Sequence, residues 1–144
     1  MINGYRISSD QSEMDVESIH KFISQSYWAK GIPIETLKKA IDNSLCFGAF
    51  NIEGSQVGFA RMITDLATYA YLADVYVLEE HRGKGLSKSL MQEIMSHPDL
   101  QGLRRMTLAT LDAHGLYEKY GFSELATPKI FMENWNPDVY GSAK

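Results

Sequence analysis

The sequence predicts an α/β fold of the α+β kind: one domain over residues 1–144, with a mixed, mostly antiparallel sheet of about six to seven strands flanked by about four helices. Three observations carry this expectation. Hydrophobic spacing is helical near the N-terminus, becomes strand-like at Leu45, and returns to a helical repeat at Leu86. Glu53-Gly54 separates two runs rich in β-branched and aromatic residues, a hairpin signal, and a glycine-containing loop stands between a later run and the helix after it. No repeat, low-complexity stretch or Pro/Ser-rich linker divides the 144 residues, and a chain of this size hides about 68–70% of its unfolded surface in one core.

Taken in order, a short strand is expected over residues 5–8. Val16, Ile19, Phe22 and Ile23 then recur at helical spacing behind Asp15, a candidate N-cap. Pro33 opens a second short helix with Ile34, Leu37 and Ile41 on one face, and the loop between the two carries Tyr27 and Trp28. Residues 45–52 and 56–63 form the hairpin, and 70–78 is a third strand interrupted by Asp74. Leu86, Leu90 and Ile94 define a helix that His97-Pro98 stops. Residues 106–110 read as a strand, and Asp112 is a candidate cap for a short helix bearing Leu116, Tyr117 and Tyr120, which Gly121 ends. Residues 122–126 and 129–135 are expected as a closing strand pair, and the tail after Asn136 as frayed.

Composition narrows the function. With 44% hydrophobic and 22% charged residues the chain reads as an ordinary folded domain, and its formal charge of -4 gives no basic field for nucleic acid. Cys46 is the only cysteine and sits in an apolar run, so a core role is expected and an intramolecular disulfide or thiolate zinc site is excluded. His20, His81, His97 and His114 do not share metal-ligand spacing, so no metal is expected. No stretch approaches the ~20 apolar residues of a membrane span, and the first residues lack an apolar signal core. A cytoplasmic protein without membrane or nucleic-acid partners is expected.

Arg82, Gly83, Lys84, Gly85, Leu86 and Ser87 lie where a strand ends and a helix begins, a place that gathers unpaired backbone N–H groups around one point. Such a nest binds anions, and glycine lets the backbone approach phosphate oxygens closely. The alternative is an exposed turn with solvated charges. The spacing is not a Walker A, because Ser87 precedes Lys88-Ser89, and no third glycine completes a dinucleotide fingerprint.

The loop resembles motif A of the GNAT N-acetyltransferases, Arg/Gln-x-x-Gly-x-Gly/Ala: Arg82 and Gly85 match, and Ser87 replaces the last small residue. A downstream segment is similar to the family's motif B through Ala113, Leu116, Tyr117, Gly121 and Phe122, with Thr110 where the family has asparagine. In order and separation the two motifs cover the C-terminal two-thirds of the chain. The resemblance implies a GNAT fold that uses acetyl-coenzyme A and no metal. It further implies that residues 82–87 wrap the pyrophosphate, that the backbone of Val75, Tyr76 and Val77 holds the pantetheine arm, and that Thr110 stands at a coenzyme contact.

The implied reaction is direct attack of a neutral amine on the thioester within a ternary complex. A backbone N–H near Val75 to Val77 would hold the oxyanion, and Tyr117 would protonate the departing thiolate. Tyr117 as a core aromatic is the alternative. Asp74 is the first candidate base, since polyamine acetyltransferases of the family carry an acidic pair in this strand, of which Ala73 leaves only half. A structural carboxylate bonded to backbone is equally open for Asp74. Asp65, Asp112 and His114 are further candidates. Tyr27, Trp28 and Arg61 are candidate acceptor-binding residues, although packing and surface charge also account for them. A small-molecule amine acceptor is expected from the minimal acidic chain, a coenzyme A-binding sensor is the rival reading, and a homodimer is expected from exposed strand edges near the C-terminus.

Overall fold

The computed structural model of the chain describes residues 4–141. Its N-terminal helices start as the sequence dictates. Asp15 caps α1 (Val16–Ile23) by accepting the Ser18 N–H at 3.1 Å, and Ile19 and Ile23 are fully buried. Pro33 precedes α2 (Ile34–Asp42), whose Leu37 and Ile41 turn inward. Together the two helices cover one face of a five-stranded sheet.

That sheet comprises β1 (Arg6–Ser8), β2 (Leu45–Phe50), β3 (Gln56–Thr64), β4 (Tyr69–Val77) and β5 (Arg105–Leu108), in that spatial order. All neighbours are antiparallel except β4 and β5, which run parallel. The β2–β3 turn forms where Glu53-Gly54 predicts it: the Asn51 side chain accepts the N–H groups of Glu53 and Ser55, and Gly54 takes φ 88°. On the opposite face lie α3 (Leu86–Ser96) and the short α4 (His114–Glu118).

Two cores result. One packs Leu90, Ile94 and Tyr117 against Phe47, Met62 and Leu72; the other packs Ile19, Ile23, Leu37 and Ile41 against Cys46, Phe59 and Tyr76. Cys46 is thus a core residue, and burial pushes its thiol up to about 12.

One irregularity shapes the sheet. Phe59 pairs with Tyr76 but Arg61 pairs with Ala73, so Asp74 and Val75 together oppose Ala60 in a β-bulge, with Asp74 at φ 58°. The extra residue reverses the alternation along β4. Ala70 and Leu72 face the α3 side before it, Val77 faces that side after it, and Tyr76 turns to the α1 side.

The expected count of six to seven strands is corrected to five, while the four helices stand. Residues 122–126 and 129–135 form no ladder; a 3-10 turn at Pro128–Ile130 lies between irregular, mostly exposed segments. Pro128 lacks an N–H to donate, and alternating side chains alone do not make a strand without a partner edge. The tail is not simply frayed either. The Tyr140 carbonyl lies 3.3 Å from where a Cβ on Gly31 would stand, so the segment rests on the α1–α2 loop.

Candidate functional site

β4 and β5 are paired only as far as Leu72 and Leu108. Past that point the bulge bends β4 away, and a cavity of about 580 Å³ opens between the strands. Ala73, Asp74 and Val75 line one side, Ala109, Thr110 and Asp112 the other, and the α1–α2 loop contributes Tyr27 and Trp28. Tyr117 enters from α4. Its ring packs edge-on against Phe122 at 6.1 Å, the side chain is buried, and burial, with a smaller contribution from Tyr27, raises its phenol above the ordinary tyrosine value. The hydroxyl therefore stays protonated at neutral pH.

Asp74 joins the acceptor candidates into one network. One carboxylate oxygen accepts the Trp28 indole N–H at 2.7 Å, the other accepts Arg61 Nε–H at 2.8 Å, and Arg61 Nη1 donates to the Ser44 hydroxyl at 3.1 Å. The two charged side chains are 6% and 15% exposed, so the pair is nearly buried. Its partners are side chains, not the neighbouring backbone. Tyr27 stands edge-on to Trp28 at 5.1 Å and is largely exposed at the mouth.

At the far end of β4 a 3-10 turn (Glu79–His81) leads into the glycine loop. Gly83 and Gly85 take φ 77° and 82°, and Gly85 is the N-cap of α3. A Cβ at Gly83 would meet no atom, so backbone conformation, not space, calls for glycine there. The first intrahelical bond is Ser89 N–H to Gly85 O, which leaves the N–H groups of Leu86, Ser87 and Lys88 without a helical acceptor. These donors at a helix start fit a pyrophosphate. Leu86 offers only its backbone, because its side chain is in the core. Arg82 folds back: its Nε donates to the Val77 carbonyl at 2.8 Å, fastening the loop to the strand, while Lys84 is exposed.

Val75 is half-buried and lines the cavity, Val77 is buried, and the Tyr76 ring stacks on Phe22 at 4.1 Å, so Tyr76 and Val77 turn their side chains into the protein. Thr110 lines the cavity, and its hydroxyl accepts the Ala113 N–H at 3.0 Å just before α4; Ala113 is the N-cap, with no side-chain cap bond, so the cap expected from Asp112 is not made. Asp65 is bound up in the β3–β4 turn. Thr68, Ala67 and Tyr69 donate to it and hold its carboxyl well below the usual range, and it does not line the cavity. His114 does not line it either. Sequence reasoning missed Tyr71 and Tyr140, which do; Tyr71 carries a usable signal, an aromatic on the strand beside Asp74, and Tyr140 carries none. Among the described residues no group of three or more His, Cys, Asp or Glu is placed to hold a metal, and no helix is long and apolar enough to cross a membrane.

The family model for the acetyltransferase (GNAT) domain matches residues 42–124, more than half of the chain and all of the cavity's β4–β5 walls. The chain belongs to the GNAT acetyltransferase family. A Gibberella zeae protein assigned as an acetyltransferase is 34% identical over 137 residues, covering 80% of this chain and 76% of that one. A crystal structure of a GNAT-family protein from Xanthomonas campestris pv. campestris is similar at 52% identity and TM-score 0.94, covering 99% of this chain and 100% of the other. Glucosamine-6-phosphate N-acetyltransferase from Arabidopsis thaliana shares the fold at TM-score 0.64 and 18% identity. This GNAT protein is thus an acyltransferase, and its family uses acetyl-coenzyme A as co-substrate.

Proposed function

We propose that this GNAT enzyme transfers the acetyl group of acetyl-coenzyme A to the amine of a small molecule by direct attack in a ternary complex. The observation that carries the reading is the cavity where β4 and β5 part, with the buried Tyr117 phenol on one side and the bulge backbone on the other. The glycine loop at the end of the same strand supplies donors for the pyrophosphate, and residues 75–77 connect the two places.

In this reading a neutral amine attacks the carbonyl carbon, the C–S bond breaks, the sulfur takes a proton from the Tyr117 hydroxyl, and the proton that the new amide nitrogen sheds returns through water to the Tyr117 phenolate. A backbone N–H near Val75 steadies the oxygen as it gains charge. Both oxygens of Asp74 already accept hydrogen bonds, which favours a structural role for it, and the ammonium proton passes to water before attack. Steady release of free thiol from acetyl-coenzyme A in the presence of amines is expected. Coenzyme A binding without thiol release on any amine would instead make the chain a sensor.

A homodimer belongs to the same reading. β5 ends the sheet, and Ile130, Met132 and Trp135 stand exposed beyond it. Light scattering at micromolar concentration should give twice the chain mass, and a monomer would count against it.

A further inference from the structure

Charge in the cavity is unevenly spent. Among its lining residues Arg61 is the one cation, and Asp74 and Asp112 are the anions. Arg61 and Asp74 neutralise one another at 2.8 Å, and Arg61 Nη1 is further committed to Ser44. What remains is the Asp112 carboxylate, for which no ion pair is formed among the described residues. Asp112 is exposed, and besides Tyr117 four aromatic side chains from three parts of the fold line the same cavity: Tyr27 and Trp28 in the α1–α2 loop, Tyr71 on β4, and Tyr140 in the tail. Trp28 is fixed by its indole hydrogen bond, so its ring is a wall held in place.

We infer that the acceptor is a monoamine with an apolar or aromatic body and no anionic group, selected by the aromatic walls and by an Arg61–Asp74 pair that leaves no positive charge uncompensated. This rests on the acetyl-transfer reading above. An acceptor carboxylate or phosphate would lose water, meet no uncompensated cation and face Asp112. An ammonium gains Asp112 and the faces of the rings, to which cations are drawn within about 6 Å. A polyamine brings additional charges, and among the lining residues no second uncompensated carboxylate receives them. The apolar body of the acceptor then displaces water from the rings.

The test compares phenethylamine with phenylalanine, which adds only a carboxylate, and with spermidine and glucosamine 6-phosphate. Thiol release at saturating acetyl-coenzyme A gives kcat/KM, and thermal shift of the protein with coenzyme A ranks binding independently of turnover. Phenethylamine should lead each of the others by about tenfold or more in kcat/KM, and should give the largest thermal shift. Asp74→Asn should cut the phenethylamine-to-phenylalanine ratio by about tenfold, because the single amide oxygen can keep Trp28 but the charge of Arg61 is unmasked. Asparagine also tolerates the positive φ of this position. Trp28→Ala should raise the KM for phenethylamine and leave that for acetyl-coenzyme A unchanged. Equal or better use of phenylalanine, spermidine or glucosamine 6-phosphate would overturn the inference while acetyl transfer stands. A ratio unmoved in Asp74→Asn would overturn it as well. Absence of thiol release with every amine strikes the transfer reading instead, and the thermal-shift ranking then decides the acceptor class by itself.

Discussion

Asp74→Ala removes one member of a nearly buried ion pair and tests the network that joins β3, β4 and the α1–α2 loop. Truncation leaves the Arg61 guanidinium at 15% exposure with its Nε unpaired, and puts alanine at φ 58°. Breaking a buried pair by deleting one partner costs about 3–5 kcal/mol, and alanine also lacks the polar side chain that eases the left-handed region for aspartate. Water reaches Arg61 in part and Trp28 is 43% exposed, so its freed N–H can be hydrated; the lower end, about 3 kcal/mol, applies. For a domain of this size each kcal/mol moves the melting temperature by roughly 2–4 °C, which gives a fall of about 10 °C. Circular dichroism melts of Asp74→Ala and Asp74→Asn provide the assay, with the asparagine variant intermediate because it keeps one acceptor and suits the backbone. A melting temperature for Asp74→Ala within 2 °C of wild type would refute the reasoning.

Tyr117→Phe should lower kcat by about 10²–10⁴ while the coenzyme KM changes little, and near-normal turnover with chemistry rate-limiting would remove the acid assignment. Because burial raises the Tyr117 phenol, the acid form persists upward in pH, so wild-type kcat should show no loss of this acid below the ordinary tyrosine value of about 10. Gly85→Val forces a β-branched residue to φ 82° at the start of α3, at a strain of about 1–2 kcal/mol or more. If the loop shifts to relieve it, calorimetry should give a coenzyme A Kd about tenfold weaker, with the acceptor KM unmoved. Cys46, its thiol raised to about 12 by burial, should resist iodoacetamide at pH 8 in the folded protein and react once denatured; labelling of the native chain at an equal rate would contradict its place in the core.

Local signals were read correctly where local chemistry decides. Asp15 caps α1, Asn51 and Gly54 make the hairpin turn, and the glycine loop opens α3 because each follows from short-range donors, acceptors and φ values. Asp74 was visible as a break in an apolar run, but not as a bulge. Its closeness to Arg61 was within reach: antiparallel register about the 65–68 turn sets Arg61 opposite Ala73, the residue next to Asp74. The closing strand pair expected over residues 122–135 does not form, since alternation says which faces differ and nothing about whether an edge accepts them. Tyr140 was out of reach, because its contact with the loop at Gly31 spans more than a hundred residues and leaves no periodic trace.

The bulge in β4 also limits how this chain can vary in descent. A substitution at positions 73 to 77 changes one side chain, whereas deleting one of the two bulge residues would restore plain alternation with Val77 still on the α3 side and Tyr76 still on the α1 side. Such a chain would lose instead the bend that carries β4 away from β5 past Leu72 and Leu108, and with it the cavity. The extra residue thus serves the cavity and not the cores, and a variant shortened by one residue at 74 or 75 should keep both cores while losing the gap between the strands.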